Sequence, residues 1–369
     1  MKASFSLVIT FGLVVVNCLV LYKLSISAGL FGGGTQLIDF DAYYRLTDEI
    51  KLGHNPYTVS ATQTLGPPSV IIPFIPFAFF PIHLARQLLI ALNLAAGLAL
   101  SWQLARRLFR KQSLTAFLIL NVIFWSAFVS RYSLLMGQPN IFLTWLLTLF
   151  LTTKNHSLQG VLLGFLTLFK TYFILLWLAF RRFPQVIKIA LVTFVGVIMI
   201  LSPVLKPAWY QYYLINRLPK LFTTIPIPQD LDYYNQSIKA TVARFNVPTL
   251  YLPLYILITA PLVVKVIRTK NVYLAVTVSL LASPVIWQYY LVFLFPVLVY
   301  LSSRKISLPQ KLLLAAAWLL WWLNFPVLNQ LPKTLWSSLL ASHYLISLLL
   351  IAFLTSKTQN TTRIDRNQF

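Results

Sequence analysis

Ile38-Asp39-Phe40-Asp41-Ala42-Tyr43-Tyr44-Arg45-Leu46-Thr47-Asp48-Glu49 holds four of the seven acidic residues in the chain, and what flanks it decides the fold. The other three acids are Asp230 and Asp232, in a second polar segment, and Asp365, in the C-terminal tail. Between these islands run long apolar stretches. With 58% hydrophobic and 10% charged residues, the chain departs from soluble domains, where about 25% of residues are charged. It reads as an all-α polytopic membrane protein, and scarce, clustered carboxylates in such a chain mark groups with a task.

The formal charge of +23 comes in short basic clumps between apolar runs rather than along one face. That is the positive-inside signature, with membrane lipids as partners, and it argues against a nucleic-acid footprint. One cysteine, Cys18, excludes an internal disulfide and a cysteine zinc site. His54, His83, His156 and His343 are far apart and offer no metal pair, so no cofactor is expected. Gly32-Gly33-Gly34 lacks the Lys-Ser/Thr of a phosphate cradle and reads as a loop.

Residues 5 to 22 form the first span, read as an uncleaved anchor. Basic clumps at Arg106, Arg107, Arg110 and Lys111; Lys154; Arg181, Arg182 and Lys188; Lys265, Arg268 and Lys270; Arg304, Lys305 and Lys311; and the tail mark the cytoplasmic side. Pro67 through Pro81 is expected to be a re-entrant or interfacial piece leading into one span near 84 to 104. Spans near 114 to 131 and 139 to 153 follow. Residues 157 to 180 are too few for two full helices, so they predict a broken hairpin with its tip near Lys170. Further spans near 186 to 203, 248 to 266, 271 to 284, 288 to 303, 311 to 325 and 337 to 355 bring the expectation to about twelve crossings. Both termini are then cytoplasmic, in one membrane domain over 1 to 355 with a tail at 356 to 369. The outer loops are 23 to 68 and 204 to 246.

On the outer face, Ala42 to Leu52 has helical spacing, ended by Gly53-His54-Asn55-Pro56-Tyr57. A short helix on the membrane surface is expected. Asp39 and Asp41 each have two readings, an N-cap for this helix or a general base on an acceptor hydroxyl. Arg131, Gln138, Asn140, Lys170, Lys239 and Arg244 fall at outer helix ends or loops, where cations and amides could neutralise a phosphate leaving group. Arg131 and Arg244 could instead snorkel to headgroups. Lys170 interrupts the apolar run Phe165-Leu166-Thr167-Leu168-Phe169, where an unpaired ammonium is costly. Trp209-Tyr210-Gln211-Tyr212-Tyr213 reads as an interfacial belt rather than a sugar platform.

The order of motifs resembles glycosyltransferase family 87, the polyprenol-phosphate-mannose-dependent mannosyltransferase type. The pieces are Asp39-Phe40 with Tyr43-Tyr44, Gly53-x-x-Pro56-Tyr57, Pro67-Pro68, Gly137-Gln138-x-Asn140, Gly160 and Gly164 leading to Lys170, Asn235-Gln236-Ser237 with Arg244, and Ser283-Pro284-x-x-Trp287. The resemblance implies a C-type glycosyltransferase fold with an acidic first outer loop. It also implies a polyprenyl-phosphate sugar donor, with a lipid or glycan acceptor, used at the outer face of the cell membrane. Asp39 is then the catalytic base, with Asp41 beside it, and Lys170, Arg244 and Arg131 meet the donor phosphate. Tyr43, Tyr44, His54, Tyr57, Gln138, Asn140, Asn235, Gln236 and Trp287 are the expected substrate contacts. Three departures stand out: Gly66 where the family often has Tyr, Thr171-Tyr172-Phe173 without the family's proline, and Tyr289-Tyr290 where a histidine pair is common.

The expected reaction is inverting transfer of a hexose, mannose first among them, from the lipid phosphate. A flippase of lipid-linked sugar is the alternative, since a basic cavity among broken helices suits carriage of an anionic lipid. A polymerase or ligase using a diphosphate-linked glycan is a third reading.

Overall fold

The computed structural model describes residues 2–30, 37–58, 65–223, 233–325 and 334–358. Asp230, Asp232, Asp365 and Gly32-Gly33-Gly34 lie outside them. The described residues are helical, and their one bridge pairs Asn235 with Trp287. The elements are α1 (Lys2–Ser27), α2 (Ile38–Lys51), a 3-10 helix over Pro68–Phe79, α3 (Ile82–Leu108), α4 (Ser113–Ser126), α5 (Phe128–Leu135) and α6 (Asn140–Thr152). Next come α7 (His156–Phe169), a 3-10 turn over Thr171–Leu175, α8 (Leu176–Ala179), α9 (Pro184–Leu201), α10 (Pro207–Tyr212), a π-turn over Tyr213–Arg217, α11 (Leu218–Thr223) and α12 (Ile238–Arg244). The rest are α13 (Tyr251–Thr269), α14 (Val272–Leu281), a 3-10 helix over Gln288–Leu294, α15 (Phe295–Ser302), α16 (Leu308–Trp322), α17 (Leu335–Ala341) and α18 (His343–Lys357).

Among the described residues, four helices are long and apolar enough to cross a membrane unbroken, at Ile9–Ser27, Ile82–Leu108, Pro184–Leu201 and Pro248–Thr269. Two more candidates are bent pairs, α4 with α5 at 64° and α17 with α18 at 58°. Five shorter apolar pieces, at Pro68–Phe79, Asn140–Thr152, His156–Phe169, Val272–Leu281 and Gln288–Ser302, complete the apolar set. The protein is thus a multi-pass membrane protein of mostly broken helices, and the expected dozen crossings are set against this mixture of whole and partial ones. Pro73 and Pro76 explain one departure from α geometry, because each removes an amide the α ladder needs, and Pro68–Phe79 winds as a 3-10 helix. A single helix, α3, then runs on from it.

Short helices create the recess that holds the site. α6 has 13 residues and α7 has 14, so at 1.5 Å per residue each rises about 20 Å, against about 30 Å of hydrocarbon. Gln138 sits just before α6 and Lys170 just after α7, at the ends of these two short helices. Asn155 starts α7, its side chain accepting from the Leu158 amide at 3.0 Å. At the break after Phe169, the Phe173 amide bonds back to the Lys170 carbonyl at 2.9 Å, turning the chain.

The basic clumps gather at the opposite end. Lys270 lies within charge range of Arg181 and Arg182. Two side-chain ties hold this end together. Asn271 Nδ2 donates to the Thr355 carbonyl at 2.9 Å, joining the start of α14 to α18, and Gln103 Nε2 donates to Thr152 Oγ1 at 2.6 Å, joining α3 to α6. These ties place the basic ends of α3, α13 and α18 away from α2.

α2 lies across the recess with its N-terminus inward. Its first amides, those of Asp39 and Phe40, both bond the Met136 carbonyl, at 3.1 and 3.3 Å. The N-cap position is Leu37, without a side-chain cap, so neither Asp39 nor Asp41 caps the helix. Of the two readings weighed for these acids, capping is therefore set aside.

Two close approaches depend on glycine. Gly160 and Gly164 let α7 meet α9, where an added Cβ would lie 2.8 Å from the Val186 carbonyl oxygen and 2.7 Å from that of Ala190, respectively. Gly137, at φ +71°, turns the chain beneath α2, and a Cβ there would fall 2.6 Å from Phe40 Cβ and 2.8 Å from Leu37 Cβ. Gly137→Ala combines a left-handed backbone, costing about 1–2 kcal/mol, with a collision against the segment that carries Asp39. The expected outcome is a lower melting temperature and at least about a tenfold loss of activity. Thermal unfolding and turnover measured on the same detergent-purified sample check both.

Candidate active site

Asp39 is half-buried at the inner end of α2. Gln138 Nε2 donates to its Oδ2 at 2.8 Å, the Tyr289 hydroxyl is within hydrogen-bonding reach, and the Lys170 charge acts on it. Lys170 is itself buried at the end of α7, with Nζ 4.0 Å from the centroid of the Tyr290 ring. The acid comes from the first polar segment, the amide from the α5–α6 turn, the cation from the broken hairpin and the tyrosines from the segment after Trp287. Four distant stretches of sequence thus meet at one carboxylate.

Burial raises the Asp39 carboxyl above its ordinary value of 3.8, while the Gln138 and Tyr289 hydrogen bonds and the Lys170 charge pull it back. A base works only when ionised, so an activity that needs it is lost as pH falls, starting at a higher pH than for an exposed aspartate. Gln138→Leu removes a donor to the charged form. The acid limb of the pH–rate profile is then expected to move to higher pH, a shift read from kcat/KM across the acid range.

Asp41 is held differently. Arg86, near the start of α3, grips it with two bonds, Nε to Oδ1 at 2.7 Å and Nη2 to Oδ2 at 2.5 Å. Both side chains are largely buried, so breaking the pair costs roughly 3–5 kcal/mol. The geometry makes Asp41 a strut that locks α2 to α3 and leaves Asp39 as the carboxylate facing the recess. Asp41→Asn is expected to lower stability more than it lowers turnover per folded molecule, which a melting curve paired with active-site-normalised kinetics separates.

The other expected contacts divide into recess and scaffold. Tyr43 stacks on Phe74 at 4.5 Å between centroids and feels the Asp39 charge. The Tyr44 hydroxyl donates to the Phe80 carbonyl at 2.9 Å, and His54 Nδ1 pairs with Glu49 at 2.6 Å on the surface. Tyr57 donates to the Gly66 carbonyl at 3.0 Å and stacks on Tyr212 at 5.5 Å. The belt reading of Trp209 through Tyr213 thus gains a packing role, since Trp209 and Tyr213 are buried with Tyr57, Leu46 and Ile71. Asn140 is fully buried, and among the described residues its amide pairs with no protein group.

Asn235 and Gln236 are buried scaffold. Asn235 Oδ1 accepts from the Ser237 and Ile286 amides, each at 3.2 Å, and the Gln236 amide bonds the Ile286 carbonyl at 2.7 Å. Gln236 Nε2 donates to the Tyr233 and Ala341 carbonyls at 2.6 and 2.8 Å. This clamp fixes the segment that begins at Trp287 and so aims Tyr289 and Tyr290. Arg244 is buried beside α17 and α18, where its guanidinium donates to the Asn235 carbonyl at 2.6 Å and to Ser342 Oγ at 3.0 Å. Arg131 is exposed, its charge felt at Tyr344. Lys239 is fully buried and donates to the Leu221 carbonyl at 3.2 Å. Of the expected phosphate cations, then, Lys170 is the one beside Asp39.

Sequence reasoning passes over three members of this arrangement. Tyr289 and Tyr290 register only as a departure from a family pattern, and Arg86 is read as part of an apolar run. A lone arginine at the head of such a run is the available signal, because a cation there needs a partner.

The fold is that of a multi-pass membrane protein, and it brings the Asp39 carboxylate together with the Gln138 amide, the Tyr289 hydroxyl and the buried Lys170. The profile of glycosyltransferase family 87 matches residues 65–284, more than half the chain. The chain belongs to that family, and is a membrane glycosyltransferase. No curated protein and no solved structure matches it. The matched region contains Gln138, Lys170 and Tyr234 through Arg244 and begins after α2, so Asp39 joins it through the contacts described above.

Proposed function

We propose that the protein transfers a hexose, mannose first among the candidates, from a polyprenyl-phosphate donor to a lipid or glycan acceptor at the outer face of the cell membrane. The observation that carries this is a half-buried carboxylate that feels the charge of a buried lysine, Asp39 and Lys170. The acceptor hydroxyl gives its proton to Asp39, and its oxygen forms a bond to the anomeric carbon from the face opposite the phosphate. The anomeric carbon–oxygen bond to phosphate breaks, configuration inverts, and polyprenyl phosphate leaves with the electron pair. Lys170 neutralises the charge that develops on that phosphate, and Gln138 keeps the carboxylate aimed. Of the other two expected cations, Arg131 is exposed and would meet the donor outside the reacting centre, whereas Arg244 is buried with its guanidinium bonded to the Asn235 carbonyl and Ser342.

Sidedness supports the outer face, because the basic clumps lie at the other end and positive charge favours the cytoplasm. The test supplies purified protein in liposomes with radiolabelled hexose on polyprenyl phosphate, on polyprenyl diphosphate or on a nucleotide. Label should be transferred from the monophosphate donor only. Turnover of the nucleotide sugar, or movement of intact donor across the bilayer without transfer, would replace this reading.

A further inference from the structure

Gln138 stands between two groups. Its side chain donates to Asp39, while its own carbonyl accepts from Asn93 Nδ2, on α3, at 3.1 Å. Asn93 is buried among the apolar neighbours Leu89, Ile90 and Leu94, where an asparagine is costly unless both halves of its amide are used. Both are. Asn93 Oδ1 accepts from the Phe142 amide at 3.3 Å, in the first turn of α6. That turn has no cap of its own, because Pro139 fills the N-cap position and offers no side-chain acceptor. Asn93 therefore caps α6 from a different helix.

One face of α3 serves both acids of α2. Arg86, which grips Asp41, and Asn93 are seven residues apart, so they share that face with about 10 Å between them along the axis. The contacts close a ring: from Arg86 to Asp41, along α2 to Asp39, across to Gln138, and back through Asn93 to α3. The Met136 carbonyl, two residues before Gln138, takes the first amides of α2, so backbone ties the same turn to the same helix. Asn93 donates and accepts at once, which neither a leucine nor an ionised aspartate can do.

We propose that Asn93 is a positioning residue for sugar transfer: from α3 it fixes the Gln138 carbonyl and the start of α6, so that the Gln138 amide stays on Asp39 and holds the base toward the acceptor. Without Asn93 the Gln138 peptide is free to turn, and the donor that favours the charged carboxylate is lost together with its aim. The other groups that face Asp39 are Tyr289 and Tyr290 from the 3-10 helix after Trp287, Lys170 at the end of α7 and Tyr43 on its own helix. None of these is altered in the variants below. The proposal rests on the transferase reading for the role of Asp39, and its test also reads the carboxylate without turnover.

The experiment uses full-length protein in lipid nanodiscs, as wild type, Asn93→Leu, Gln138→Leu and the double variant. Infrared difference spectra against Asp39→Asn follow protonation of the Asp39 carboxyl with pH, and kcat/KM for labelled polyprenyl-phosphate hexose is measured over the same range. Asn93→Leu should move both the carboxyl titration and the acid limb to higher pH, as Gln138→Leu does, and the double variant should move them no further than Gln138→Leu alone. Above the limb, kcat should fall about tenfold with donor KM within about twofold of wild type, because Lys170 lies outside the ring. Asn93→Ser, whose single hydroxyl cannot hold both groups, should give a smaller shift in the same direction and keeps the test readable where Asn93→Leu does not fold. An unmoved titration in folded Asn93 variants, or shifts that add in the double variant, would overturn the proposal and leave Asn93 as a cap of α6, felt only as a lower melting temperature. A shifted carboxyl titration with no transfer by any of the proteins would instead sink the transferase reading and leave the hold of Asn93 on Asp39 standing.

Discussion

Asp39→Asn is expected to lower transfer by about 10²–10⁴-fold while leaving the fold intact. Asparagine keeps the size of the side chain and can still accept from Gln138, which now bonds Asp39 at 2.8 Å. What it loses is the ability to take a proton, so the effect should fall on kcat, with the donor still bound. Labelled polyprenyl-phosphate hexose supplied to membranes containing each variant reads the transfer, and size-exclusion profiles confirm the fold. Equal transfer by the two proteins would remove Asp39 from the mechanism and bring Asp41 forward, despite its bidentate bond to Arg86.

Lys170→Met should be nearly as damaging, for a different reason. Methionine fills the space of the lysine stem over Tyr290, so packing is largely kept, but the phosphate leaves without a counter-charge. Removing one group that stabilises transition-state charge costs about 10²–10³-fold. Because the ammonium also meets the ground-state phosphate, donor KM should rise together with the fall in kcat. Lys170→Arg is expected to rescue poorly, since a planar guanidinium does not fit a site shaped for a compact ammonium against a ring face. Kinetics at varied donor concentration distinguish these outcomes from simple unfolding.

The parts of this arrangement legible in the sequence are those where polarity breaks an apolar pattern. Asp39 and Asp41 stand out because acids are so few, and Lys170 because it stops an apolar run, which also exposes the hairpin break after Phe169. The proline stretch announces its own distortion for the same reason: Pro73 and Pro76 cannot donate, whatever surrounds them. Composition and basic clumps are enough to establish a helical membrane protein.

Pairing between distant segments is what the sequence conceals. Nothing local tells that Arg86 belongs to Asp41, 45 positions away, or that the Met136 carbonyl takes the amides an acid would otherwise cap. Asn235 and Gln236 are expected substrate contacts only through the family resemblance, which says nothing of their packing. Here they satisfy backbone groups in a buried clamp spanning 51 positions, and their effect on the site passes through Tyr289 and Tyr290. Tyrosines carry no such flag in a chain with 18 of them, and only the folded arrangement singles out two.

A shared pocket for base and cation is tested most directly by labelling. In a Cys18→Ser background, Asp39→Cys and Lys170→Cys are each treated, in sealed cells, with a membrane-impermeant thiol reagent, with and without polyprenyl-phosphate hexose. Both cysteines are expected to react from outside, and the donor to shield both. Reaction of the two from opposite sides of the membrane, or shielding of neither, would contradict that pocket.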